Sequence, residues 1–126
     1  MARGWLGAGL LILFLVLGLV TMAAMDSAHL STGQMLKEAA DKSLSGDMDA
    51  AAGLAMAAKT RWERQHHGTA AVADHNPMDD VDRLFAQIEV YAKAQEAPHF
   101  AACCAELAHL LQATVDAHRF NWWNVL

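Results

Sequence analysis

The chain has 126 residues, 55 % of them apolar, with 9 Lys+Arg against 14 Asp+Glu. That length holds one small domain and no more. Only Arg3 precedes Asp26, so residues 26–126 carry 8 basic and 14 acidic groups, a formal −6, which argues against a nucleic-acid partner because phosphates favour basic surfaces.

The first predicted element is a membrane span. Residues 5–24, WLGAGLLILFLVLGLVTMAA, contain no charge. At about 1.5 Å per residue they reach roughly 30 Å, one hydrocarbon-core thickness. A cleaved signal peptide is the competing reading, with an apolar run of about 7–15 residues and an Ala-x-Ala-like site. Here the run is longer, Thr21-Met22-Ala23 is a poor site, and no Cys follows it for lipid attachment. The division predicted is therefore an N-terminal anchor (or uncleaved signal) over 1–25 and a helical bundle over 26–126. Arg3 and the free amine stand on one side of the span, and Lys37 is the first basic residue on the other. The positive-inside rule then places the N-terminus in the cytoplasm and the bundle outside the cell membrane. Gly4, Gly7, Gly9 and Gly18 form no clean G-x-x-x-G pattern for helix pairing.

Beyond the span, sparse Gly and Pro predict helices. One runs through Met35, Leu36, Ala39, Ala40 and Leu44, starting at Ser31 or continuing directly from the span. Ser45-Gly46-Asp47 breaks it. Ser45 or Asp47 caps the next helix, with Asp49 in its first turn near the positive dipole end. Its apolar stripe is Met48, Ala51, Ala55, Ala58 and Trp62, at alternating steps of three and four. Gly68 interrupts it.

The stretch ADHNPMDDVDRLFAQIEVY at 73–91 concentrates four carboxylates, a His and an Asn within its first ten positions. A calcium loop needs Gly at its sixth position and a bidentate acid at its twelfth. Counted from Asp74, those positions are Asp79 and Phe85, so that reading fails. A helix start explains the cluster instead. Asn76 is a good N-cap, Pro77 suits the first helical position, and Asp79 and Asp80 lie where the dipole favours negative charge. Val81, Leu84, Phe85, Ile88 and Ala92 then mark one buried face.

Pro98 opens the last helix, whose stripe is Phe100, Cys103 or Cys104, Leu107, Leu110, Leu111, Thr114, Val115 and His118. It is predicted to end near Arg119, with FNWWNVL as a tail. The fold class is all-α: an N-terminal transmembrane helix, then a small antiparallel bundle of three to four helices.

The order of an apolar N-terminus, TRWERQHH at 60–67, ADHNPMDDVDRLFAQIEVYAK at 73–93 and a tail through FNWWNVL at 120–126 resembles the DUF4363 family. Those proteins are uncharacterised, small, membrane-anchored and helical, from Gram-positive bacteria. The resemblance covers most of the chain and implies a membrane-tethered helical domain. It carries over no catalytic residues.

Histidine is the most suggestive residue type. His66 and His67 are adjacent, so on a helix they point about 100° apart. His99 and Cys103 are spaced i, i+4 and can pair as ligands, but two ligands do not make a structural zinc site, and no C-x2-C or H-E-x-x-H is present. The bland reading makes the histidines exposed or helix-terminal. Cys103 and Cys104 are too close along the chain for an ordinary disulfide, and at least one reads as a small buried hydrophobe. Ser27, Ser31, Ser43 and Ser45 fall at helix starts or ends, and no nucleotide-binding glycine loop exists.

No enzyme and no cofactor are expected. The role expected is an interaction or structural module at the cell envelope, contacting the lipid bilayer and a protein partner. Alternatives are a ligand- or pH-sensing helical domain, or a metal- or thiol-binding protein using His99, Cys103 and Cys104. Equal helix lengths would return the chain to the bilayer. The candidate membrane-interface or partner contacts are therefore His66, His67, His75, His118, Arg119, Phe120, Trp122 and Trp123; the alternative is that Trp122 and Trp123 fold back and cover the end of the bundle.

Overall fold

A computed structural model describes residues 2–66 and 76–124, with side chains over 3–66 and 78–117. Four helices follow in order: α1 Ala2–Leu44, α2 Met48–His66, α3 Asn76–Lys93 and α4 Ala97–Asn124. The apolar segment and the first bundle helix are one element of 43 residues. No Pro lies within it, and nothing caps or breaks the chain at Met25-Asp26, so the predicted division at 25/26 falls inside α1.

The two described turns close by the same device. After α1, Gly46 takes φ +92° and Asp47 N–H donates to Lys42 O at 2.9 Å. After α3, Gln95 takes φ +57° and Glu96 N–H donates to Tyr91 O at 3.0 Å. Both are Schellman-type ends, in which one left-handed residue lets the next N–H reach an otherwise unpaired helix carbonyl. Asp47 also caps α2: its Oδ1 accepts from Ala50 N–H at 3.2 Å.

The helices form an antiparallel ring in which α1 packs on α2 and α4, and α3 packs on α4 and α2. The core follows the predicted stripes. Met48, Ala51, Ala55, Ala58 and Trp62 are the buried residues of α2. Val81, Leu84, Phe85 and Ile88 are buried on α3, and Phe100, Cys104, Leu107, Leu111 and Val115 on α4. Leu110 is only partly buried. Four alanine-sized positions on α1 and α2 (Ala39, Ala51, Ala55, Ala58) let those backbones approach, while Phe85 and Phe100 fill the other half.

Two expectations need correction. α4 does not stop near Arg119; it continues as helix to Asn124, 28 residues in all. The bundle helices are therefore unequal, with 19 residues in α2 and 18 in α3. No Gly or Pro occurs between Pro98 and the C-terminus to end the helix earlier.

Candidate functional site

The register of the bundle defines one end of the molecule. The Cβ position of Gly33 on α1 lies 3.8 Å from Ala108 O on α4. His29, Gly33 and Lys37 share a hollow with Ala108 and Gln112, in antiparallel order. On the other side of α1, the His29 ring lies 5.6 Å from Trp62 and 5.7 Å from His66 on α2. α2 ends at His66 and α3 begins at Asn76. This end of the bundle therefore lies beside the point where α1 turns fully apolar.

An aromatic cluster closes it. His66 stacks on Trp62 with centroids 3.7 Å apart and planes at 25°. Its Nδ1 lies 3.0 Å from Trp62 O. A carbonyl only accepts, so Nδ1 carries the hydrogen and the ring is held to the backbone of its own helix one turn back. His29 is 5 % exposed, against the expectation that the histidines would be exposed or terminal. The signal was available: His29 lies three residues before Thr32 and seven before Leu36, on the same helical face. Thr32, also buried, donates to Ala28 O at 3.0 Å.

Of the candidate contacts, only His66 has its side chain described, and it belongs to this cluster. His67 and His75 lie outside the described residues. His118, Arg119, Phe120, Trp122 and Trp123 occupy the last turns of α4, within a helix instead of a free tail, and their side chains lie outside the described ones.

The suggested ligand pair is engaged otherwise. His99 Nδ1 is 3.1 Å from Glu96 Oε2, and its ring stacks on Tyr91 at 5.2 Å. Cys103 Sγ lies toward Gln87 Oε1 at 3.9 Å. Among the described residues no three His, Cys, Asp or Glu side chains gather as a metal set. Burial holds the Cys104 thiol up at about 12, with the neighbouring Cys103 adding to the shift. Burial, then the charge of Glu106, raises Cys103 as well. Both thiols are thus poor nucleophiles near neutrality.

Between α2 and α3 a cleft of about 160 Å³ is lined by Ala52, Ala55, Phe85, Ile88 and Phe100. Glu89 also lines it, 3.6 Å from Lys59 and 3.2 Å from Lys93. The hydrogen bond from Lys93, then the charges of Lys93 and Lys59, hold the Glu89 carboxyl below its ordinary value.

The family model described as a domain of unknown function, DUF4363, matches residues 21–125. The chain belongs to the DUF4363 family. No curated protein matches it, and no solved structure does. The DUF4363 match takes in the whole bundle, the His29–Trp62–His66 cluster and the aromatic end of α4. It begins inside the last turns of the apolar stretch. In the DUF4363 chain, α1 is also long and apolar enough to cross a membrane.

Proposed function

We propose that this DUF4363 protein is a single-pass membrane protein with a cytoplasmic N-terminus and an extracytoplasmic helical bundle. It serves as a non-enzymatic interaction or structural module at the cell envelope. One observation carries the anchor. The apolar half of α1 is exposed on every face: Trp5, Leu6, Phe14 and Leu15, about a quarter-turn apart around the helix, are 80, 69, 66 and 49 % exposed. A helix that is apolar all round, with no protein covering it, needs hydrocarbon as its solvent. The orientation rests on Arg3 and the N-terminal amine.

The interaction role is supported by what the bundle offers. Its surface is acidic and its thiols are held protonated. The test is an Asp47→Cys variant in a Cys103→Ser, Cys104→Ala background, treated in intact cells with a membrane-impermeant maleimide. Labelling of intact cells is expected, on a chain whose mass includes residues 1–25. Labelling only after lysis reverses the orientation, and a shortened chain replaces the anchor with a signal peptide.

A further inference from the structure

Two of the four helices, α2 and α3, have an end near the level of His29, and a third, α4, runs well past it. α2 stops at His66, whose ring faces His29. α3 starts at Asn76. The Gly33–Ala108 contact sets Val115 of α4, 1 % exposed, about level with Asp26 of α1. α4 nevertheless runs on to Asn124. At 1.5 Å per residue, that carries it about 13 Å past Val115. Beyond this level the described helices are α1, in its apolar half, and the end of α4 beside it.

We propose that the last two turns of α4 are a second membrane-contacting segment, seated in the bundle-side interface of the bilayer against α1. The inference rests on the anchor reading above. The order of residues along the overshoot fits the depth order of an interface. By the same register His118 and Arg119 come first, level with Ala23 and Met22 at the very edge of the charge-free stretch, within reach of the head groups. Phe120, Trp122 and Trp123 come next, nearer the hydrocarbon. Basic groups favour anionic head groups, and Trp is enriched at the boundary because it joins an apolar ring to an N–H that needs a partner. Asn121 and Asn124 keep the segment from going deeper, since unpaired amides are costly in hydrocarbon. The overshoot is also far short of the roughly 30 Å needed to cross. The occupant of this surface is lipid, and the protein grips the bilayer at two points, once by crossing it and once by leaning α4 into it.

Tryptophan quenching in nanodiscs of mixed zwitterionic and anionic lipid tests this on the full chain. The protein has 4 Trp, at 5, 62, 122 and 123. With Trp5→Phe and Trp62→Phe, emission reports the end of α4 alone. Lipids brominated near the ester groups should cut that emission by half or more, and lipids brominated near the chain ends should cut it less. Emission that ignores brominated lipid but responds to aqueous iodide, or to neither quencher, overturns the proposal; the end of α4 would then lie in water or be covered by protein. A chain retaining Trp5 alone separates the two readings. If Trp5 is quenched by lipid and the α4 end is not, the anchor stands and this inference falls. If neither is quenched, the anchor itself fails. Should Trp62→Phe disturb the core, the same answer comes from subtracting the emission of Trp122→Phe, Trp123→Phe protein from that of the unaltered chain.

Discussion

Three glycines of the bundle should answer the same substitution in different ways. Gly53 lies inside α2 and exposed, with nothing within 4 Å of a Cβ. Replacing it with Ala should stabilise the bundle by about 0.8–1 kcal/mol, the helix-propensity difference alone. Gly33 is buried in α1 with only Ala108 O at 3.8 Å from its Cβ position, an ordinary contact distance. Gly33→Ala should gain the same propensity term and up to about 0.8 kcal/mol more for the buried methyl. Gly46 has φ +92°. There Gly46→Ala should cost about 1–2 kcal/mol, because a Cβ in a left-handed backbone crowds the next carbonyl. The assay is guanidinium unfolding of the full chain in detergent micelles, followed by near-ultraviolet circular dichroism, which reports packing of the bundle and not helicity of the span. Each kilocalorie moves the guanidinium midpoint by roughly 0.2–0.5 M, so Gly46→Ala separates from the other two by the sign of its shift, and Gly33→Ala should gain at least as much as Gly53→Ala. A Gly33→Ala loss beside a Gly53→Ala gain would show α1 and α4 closer than described, with a different register. A stabilising Gly46→Ala would remove the left-handed turn.

Phe85→Ala should cost about 3–5 kcal/mol in the same assay, since Phe85 is 2 % exposed and meets Ile88 and Phe100 beside the α2–α3 cleft; a change under about 1 kcal/mol would place the ring outside the core. Cys104 should resist alkylation in the native protein at neutral pH while Cys103 reacts slowly, and both should react fully in denaturant. The Cys104 shift also has a thermodynamic sign. The folded thiol keeps its proton up to about 12, whereas an unfolded one loses it near about 8.5. Stability is therefore lost as pH rises between those values, by up to about 1.4 kcal/mol per unit. Cys104→Ala should flatten that slope, and an unchanged slope would assign it to other groups.

Periodicity made much of this fold readable. The α2 stripe from Met48 to Trp62 and the α3 stripe from Val81 to Ile88 were legible because amphipathic spacing is a local property of the chain. The turn at Gly46 was legible because a left-handed residue favours glycine. Gln95 was not, because nothing in the residue announces that it takes the same conformation. The end of α4 was misread for a related reason: FNWWNVL carries aromatic and Asn residues of middling helix propensity, and no stop signal. The burial of His29 is harder to read from the sequence because it lies between the charge-free stretch and the bundle face, and which side of it packs depends on α2 and α4. The Trp62–His66 stack depends on an i, i+4 pair that the sequence shows, but its closure against His29 depends on tertiary register.

The unbroken course of α1 from Ala2 to Leu44 has a mechanical meaning. Its 43 residues make a shaft about 65 Å long, with no swivel between the half suited to lipid and the half that nucleates the bundle. The bundle is thus fixed on that shaft like a flag on a pole. Apolar helices adjust their tilt to the thickness of the bilayer around them. If the apolar half sits in lipid as proposed, a tilt change of about 10° about its middle would swing the far turn at Gly46 sideways by about 8 Å, taking a 1.5 Å rise per residue. Bilayer thickness would then become a displacement at the far end of the molecule, where a partner can meet it.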